Sequence, residues 1–144
     1  MKLRTHAACG ILLAVLISPN VPLEVLSLLI CWAVVWSVIS DIDHYIPTVR
    51  HRGITHSLVF ALFSGALVFA VGKTQLNYAI LASLSVVMHL MLDSLTPSGV
   101  PLWMPFSGKR VRFPIIGGHI RSDNRIANMG IQIVAVLAIC FILF

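Results

Sequence analysis

The chain has 144 residues, 58% of them hydrophobic and only 10% charged, with a mean hydropathy of +0.97 and a formal charge of +5. Soluble domains average roughly 45–50% apolar and about 25% charged residues, so a soluble globular protein, a disordered chain and a disulfide scaffold are all but excluded. The basic balance points to the cytoplasmic loops of a membrane protein rather than to nucleic acid.

Five apolar segments follow in order: Ala7–Ile17, extendable back toward Leu3; Pro22–Ile39; Ile54–Val71; Leu76–Leu95; and Ala127–Phe144. Lys2 and Arg4 before the first segment mimic a signal peptide, but Ser18-Pro19-Asn20 reads as a turn and no small-residue cleavage pattern follows, so the segment is expected to be retained. Pro22 is expected in the first turn of the second helix, where its missing N–H costs little. The later segments, of about 18–20 residues, give about 27–30 Å of helix, enough to cross a bilayer; the first is too short to cross squarely. The alternation of barrel strands is absent, and lipid leaves helices as the other option. The expected fold is therefore all-α: a polytopic membrane helical bundle of about five transmembrane helices, in one integral membrane domain over residues 1–144.

Two connections are short, and two are richer. Residues 40–53 are polar and compact. Residues 96–126 carry Pro97, Pro101, Pro105 and Pro114 with Gly99, Gly108, Gly117 and Gly118, and loops of that length are more often functional than idle. Trp103, Phe106 and Phe113 beside Lys109, Arg110 and Arg112 mark a re-entrant or interfacial loop, with a hairpin turn at Phe106–Lys109. Cys9, Cys31 and Cys140 lie far apart in apolar runs and read as small buried hydrophobes, Cys9 keeping a weak claim as a ligand.

Because helices alternate direction, one face holds the N-terminus and the two rich loops. It carries nine of the ten Lys and Arg residues; only Lys73 is opposite. The positive-inside rule puts that face in the cytoplasm, with the N-terminus inside and the C-terminus outside. All six histidines (His6, His44, His51, His56, His89, His119) fall at the same face, as do four of the five acids, Asp41, Asp43, Asp93 and Asp123; Glu24 is opposite.

His89 and Asp93 are i,i+4 and share a helix face. A charge at bilayer depth costs roughly 2.5–3.5 kcal/mol, so Asp93 requires a partner. Asp41 and Asp43 converge only where the second helix has ended, and Gly53 allows the bend that brings His51 and His56 together. Imidazole and carboxylate without thiolate suit Zn, Mn or Fe. Three carboxylates against two divalent cations leave +1, which a bound hydroxide cancels, and this favours a two-metal site. Against these stand plainer readings: His44 and His119 as interfacial polar residues, Asp123 as the N-cap of the last helix, Trp32 and Trp36 as packing or lipid contacts. No G-x-S-x-G or H-E-x-x-H motif is present.

Thr5-His6, Asp41-Ile42-Asp43-His44, His51-Arg52-Gly53-Ile54-Thr55-His56-Ser57, His89-Leu90-Met91-Leu92-Asp93, Thr96-Pro97-Ser98-Gly99-Val100-Pro101-Leu102 and Arg112-Phe113-Pro114 together resemble the YdjM family, described as LexA-regulated, membrane-bound, metal-dependent hydrolases of the bacterial inner membrane. That family is distantly similar to zinc-dependent bacterial phospholipase C, an all-helical enzyme whose His and Asp ligands include an HxxxD. The resemblance implies hydrolase activity and maps the HxxxD onto His89 and Asp93.

The combined expectation is a membrane-embedded hydrolase of phosphoester bonds in a lipid or lipid-linked substrate, working by metal-activated water. His6, Asp41, Asp43, His51, His56, His89 and Asp93 are the expected ligands of divalent metal, two Zn ions with Mn or Fe as alternatives. Asp41 or Asp43 would assist as ligand or base, and Arg52 with Lys109, Arg110 and Arg112 would hold phosphate oxygens. The rivals are a divalent-metal transporter or sensor, and a structural membrane protein whose His/Asp network serves packing alone.

Overall fold

The computed structural model describes residues 1–46, 52–72, 76–114 and 118–144. Five α-helices run in order: α1 (Leu3–Ile17), α2 (Leu23–Val38), α3 (Leu58–Gly72), α4 (Leu76–Ser94) and α5 (Arg125–Leu143). Two 3-10 segments, Ile39–Tyr45 and Ile54–His56, close α2 and introduce α3. The described residues contain no strand, only an isolated antiparallel bridge between Val100 and Val111. The all-α expectation holds.

Three helical stretches are long and apolar enough to cross a membrane: Leu23–His44, Leu76–Ser94 and Arg125–Leu143. The helices α1 and α3 are apolar but have 15 residues each, about 22 Å of rise. The expected start of the third helix at Ile54 is corrected. Residues 54–56 form a 3-10 turn, Ser57 is extended, and α3 begins at Leu58. The irregular entry carries His56 into the interior at the cost of a full helical turn of span.

Pro22 is the N-cap of α2 rather than part of its first turn; its carbonyl accepts from Leu26 N at 2.9 Å. The N-cap of α5 is Asn124, not Asp123. Its side chain accepts from Ile126 N (3.0 Å) and Ala127 N (3.2 Å), satisfying two of the free N–H groups at a helix start. Asp123 instead faces Arg121 at 3.3 Å in solvent.

The centre of the bundle is α4, packed against α1, α2 and α3, while α5 leans on α1. Three apolar nuclei lie among the described residues: Trp36, Ala61, Ala82, Val86 and Leu90; Ala14, Leu29, Ala33 and Leu81; and Met1, Cys9 and Leu92. Helices in lipid gain little from hydrophobic exclusion, so they approach through small residues. A Cβ on Gly65 would stand 2.9 Å from the Ala79 carbonyl and 2.1 Å from Ser83 Oγ, and one on Gly10 would stand 3.0 Å from the Ala33 carbonyl. Gly65→Leu is therefore expected to push α3 off α4 and cost about 1–3 kcal/mol, measured as a lowered unfolding midpoint of the detergent-purified protein.

Polar contacts fasten α5 to α1. Asn128, 2% exposed, accepts at Oδ1 from Thr5 Oγ1 (2.7 Å) and Lys2 N (3.0 Å). Its amide donates to the Ser122 and Asn124 carbonyls, and Gln132 Nε2 donates to Thr5 Oγ1 at 2.9 Å. Thr5 precedes His6, so this clamp also sets where the His6 ring stands.

Residues 96–114 fold back over the ends of α3 and α4. Leu58 N donates to the Leu102 carbonyl (3.0 Å) and Phe113 N to the Ser94 carbonyl (3.1 Å). The Val100–Val111 pair closes the loop, and its turns fall at 102–106, not at the expected hairpin turn over Phe106–Lys109. Gly99 at φ +60 makes that closure possible, since a Cβ there would meet the Val111 carbonyl at 2.8 Å.

Candidate metal centre

The start of α1, the end of α2 with its 3-10 extension, the 3-10 entry to α3 and the end of α4 meet at one end of the bundle. There His6, Asp43, His56, His89 and Asp93 are each at most 1% exposed. Asp41 is the partial exception, with its side chain 20% exposed. The alternation of helices predicted this gathering. Four of the expected ligands, Asp41, His56, His89 and Asp93, each offer an atom within 4.8 Å of the others.

The hydrogen bonds determine where the ring protons lie. His89 Nδ1 is 2.7 Å from the Ser37 carbonyl, which can only accept, so Nδ1 carries the proton and Nε2 a lone pair. Thr55 Oγ1 donates to Asp43 Oδ2 at 2.6 Å. His56 Nδ1 lies 3.1 Å from that hydroxyl and 3.3 Å from Asp43 Oδ2. With the hydroxyl proton already committed, His56 Nδ1 must donate, and its Nε2 is a lone pair as well. The two Nε2 atoms stand 3.2 Å apart. Asp41 Oδ1 is 3.5 Å from His56 Nε2 and 3.6 Å from His89 Nε2; Asp93 Oδ2 is 3.7 Å and 3.9 Å from the same two atoms.

Two imidazole lone pairs and two carboxylate oxygens facing one another repel unless a cation lies among them. A tetrahedral ion with bonds of about 2.0–2.1 Å separates its ligand atoms by about 3.3–3.4 Å, close to the distances found. The donor set therefore fits a divalent metal. Each histidine is held by an acceptor behind it, Asp43 or the Ser37 carbonyl, the usual outer support of a metal-bound imidazole.

Arg52 Nη2 lies 2.8 Å from Asp93 Oδ2, and Nη1 donates to Thr96 Oγ1 (2.9 Å) and the Gly99 carbonyl (3.3 Å). Its backbone N donates to Asp43 Oδ2 at 3.0 Å, from a left-handed conformation at φ 58. The guanidinium expected at a phosphate is turned inward onto the acids. Its charge also changes the balance: three carboxylates and one guanidinium sum to −2, and the Met1 ammonium at Asp93 brings this to −1.

His6 stacks on His89 with ring centroids 3.9 Å apart. Its Nε2 is 3.3 Å from Asp93 Oδ1, yet neither ring nitrogen has a hydrogen-bond partner. The Met1 ammonium also touches Asp93 Oδ1. Asp43 sits behind His56 rather than among the converging atoms. His51 lies outside the described residues. His44, His119 and Asp123 are exposed, and Lys109, Arg110 and Arg112 are exposed on the covering loop with no ion pair to the cluster. Sequence reasoning missed Thr55, Thr96 and the Ser37 carbonyl. The hydroxyls stand inside the quoted motifs, but a backbone carbonyl leaves no trace in residue identity.

Comparison with curated proteins and with solved structures gives no match. A family model does match, over residues 1–144, and its description is YdjM inner membrane protein; the chain belongs to that family.

Proposed function

We propose that the protein is a membrane-embedded, metal-dependent hydrolase of phosphoester bonds in a lipid or lipid-linked substrate. The observation that carries this reading is the convergence of His56 Nε2, His89 Nε2, Asp41 Oδ1 and Asp93 Oδ2. Zn suits four such donors, with Mn or Fe as alternatives. A second ion fits between His6 and Asp93 Oδ1, in place of the Met1 ammonium, because a buried ring with no hydrogen-bond partner is costly. Two divalent ions against −2 leave +2, a charge complementary to an anionic phosphoester.

Divalent ions bound there supply Lewis acidity toward a phosphoryl oxygen and make water acidic enough to ionise near neutral pH. Asp41, the carboxylate open to solvent, accepts the proton of the attacking water. The water oxygen bonds to phosphorus, the ester P–O bond breaks, and the leaving oxygen takes the proton. Asp43 holds His56, and Arg52 holds Asp93. Lys109, Arg110 and Arg112 draw an anionic headgroup to this end of the bundle, and the nine-to-one distribution of basic residues supports a cytoplasmic position for it.

The direct test is release of phosphate or headgroup from membranes by purified protein, before and after chelation. Release that stops on chelation and returns with Zn supports hydrolysis. Tight metal without release, together with ion uptake into proteoliposomes, would favour transport; no bound metal would leave a structural role. His6→Ala is expected to lower metal content from about two to about one equivalent, read by elemental analysis. An unchanged content would remove the second ion.

A further inference from the structure

We infer that the outward side of α4 carries a seat for an anionic phospholipid, separate from the metal centre. A crevice of about 280 Å³ opens there, lined by Leu58, Val87, Leu90, Met91 and Leu102, with Arg112 at its edge. At 100° per residue, Val87, Leu90, Met91 and Ser94 lie about 130° round α4 from the edge that bears His89 and Asp93. The crevice therefore faces away from the cluster.

The walls are built, not incidental. Leu58 N binds the Leu102 carbonyl, Phe113 N binds the Ser94 carbonyl, and Val100 and Val111 exchange bonds of 3.0 and 2.8 Å. These contacts hold the covering loop over α3 and α4 and bring Arg112 into the lining.

The occupant follows from charge. Asp41, Asp43 and Asp93 belong to the buried cluster, Asp123 pairs with Arg121, and Glu24 lies at the opposite end of α2. Those are all five acids of the chain, and no ion pair among the described residues joins one of them to Arg112. An arginine in the lining of a hydrocarbon crevice, with no ion pair to a described carboxylate, suits a phosphate attached to an acyl chain. The same loop carries Lys109 and the exposed aromatics Trp103 (57%) and Phe106 (87%), the composition of a membrane interface. A larger crevice of about 540 Å³ beside Trp32, Trp36 and Tyr78 has no charged side chain among the described residues of its lining.

The inference needs neither metal nor hydrolysis; because Arg112 is also assigned to drawing the headgroup, retention is measured on chelated protein, where the two readings fail separately. Purified protein in detergent is mixed with phosphatidylglycerol or phosphatidylcholine, and retained lipid is counted by native mass spectrometry. Wild-type protein is expected to keep phosphatidylglycerol roughly tenfold better, because the choline ammonium of phosphatidylcholine offsets the phosphate charge that Arg112 would meet. Arg112→Gln should bring the two lipids to near parity. Met91→Trp, which fills the crevice from a half-exposed position, should weaken both. Excess inorganic phosphate should not displace the lipid. Equal retention by wild-type protein, an intact preference in Arg112→Gln, or displacement by phosphate would overturn the seat, whatever the metal content and hydrolysis measurements give.

Discussion

Replacing His89 with alanine is expected to strip the metal and lower headgroup release roughly 10²–10³-fold, the scale of losing several kcal/mol of Lewis-acid stabilisation. The expectation follows from the position of His89 Nε2, 3.2 Å from His56 Nε2 and within 4 Å of both carboxylates. Without it, Asp41, His56 and Asp93 remain as three donors, and a stacked partner of His6 disappears. Elemental analysis and release should fall together. If release persists at the wild-type rate, the cluster does not perform the chemistry. If metal persists in full, His89 is not a ligand and the ring serves packing.

Arg52→Ala should have a different signature. The guanidinium neutralises Asp93 in the interior, where the carboxylate side chain is 2% exposed. Removing one partner of a buried ion pair typically costs about 3–5 kcal/mol, because an uncompensated charge stays behind. The variant is expected to be that much less stable when stripped of metal, and to recover part of the loss when Zn is restored, since a cation near Asp93 Oδ2 supplies the missing charge. The measurement is the denaturation midpoint in detergent with chelator and with Zn. Equal destabilisation in both states would mean that Arg52 acts through Thr96 and Gly99 and not through the metal centre. A phosphate-binding Arg52 would instead leave stability unchanged and weaken substrate binding.

The contrast between those two residues shows how far residue spacing reaches. His89 and Asp93 are i,i+4, and that geometry survives any packing of the helix that carries them. Arg52 is a charged residue in a polar loop, equally able to face solvent, phosphate or an interior carboxylate. Only the left-handed turn at Arg52 and the closeness of Thr96 and Gly99 select the last. The same limit explains Asp43. Its proximity to Asp41 in sequence suggested a second ligand, but the 3-10 path of residues 39–45 turns it toward Thr55, Arg52 N and the back of His56.

Helix number, apolar character and the gathering of His6, Asp41, Asp43, His56, His89 and Asp93 at one end were legible in the sequence, because apolar runs of bilayer length must alternate direction and so sort their ends. The family was legible too, from motifs spread over residues 5–114. Which atoms face the cation position and which support them from behind was decided by the tertiary structure alone. Those roles depend on separations of tenths of an ångström between segments far apart in sequence, such as His89 and the Ser37 carbonyl, 52 residues away, and no local pattern of residue types encodes them.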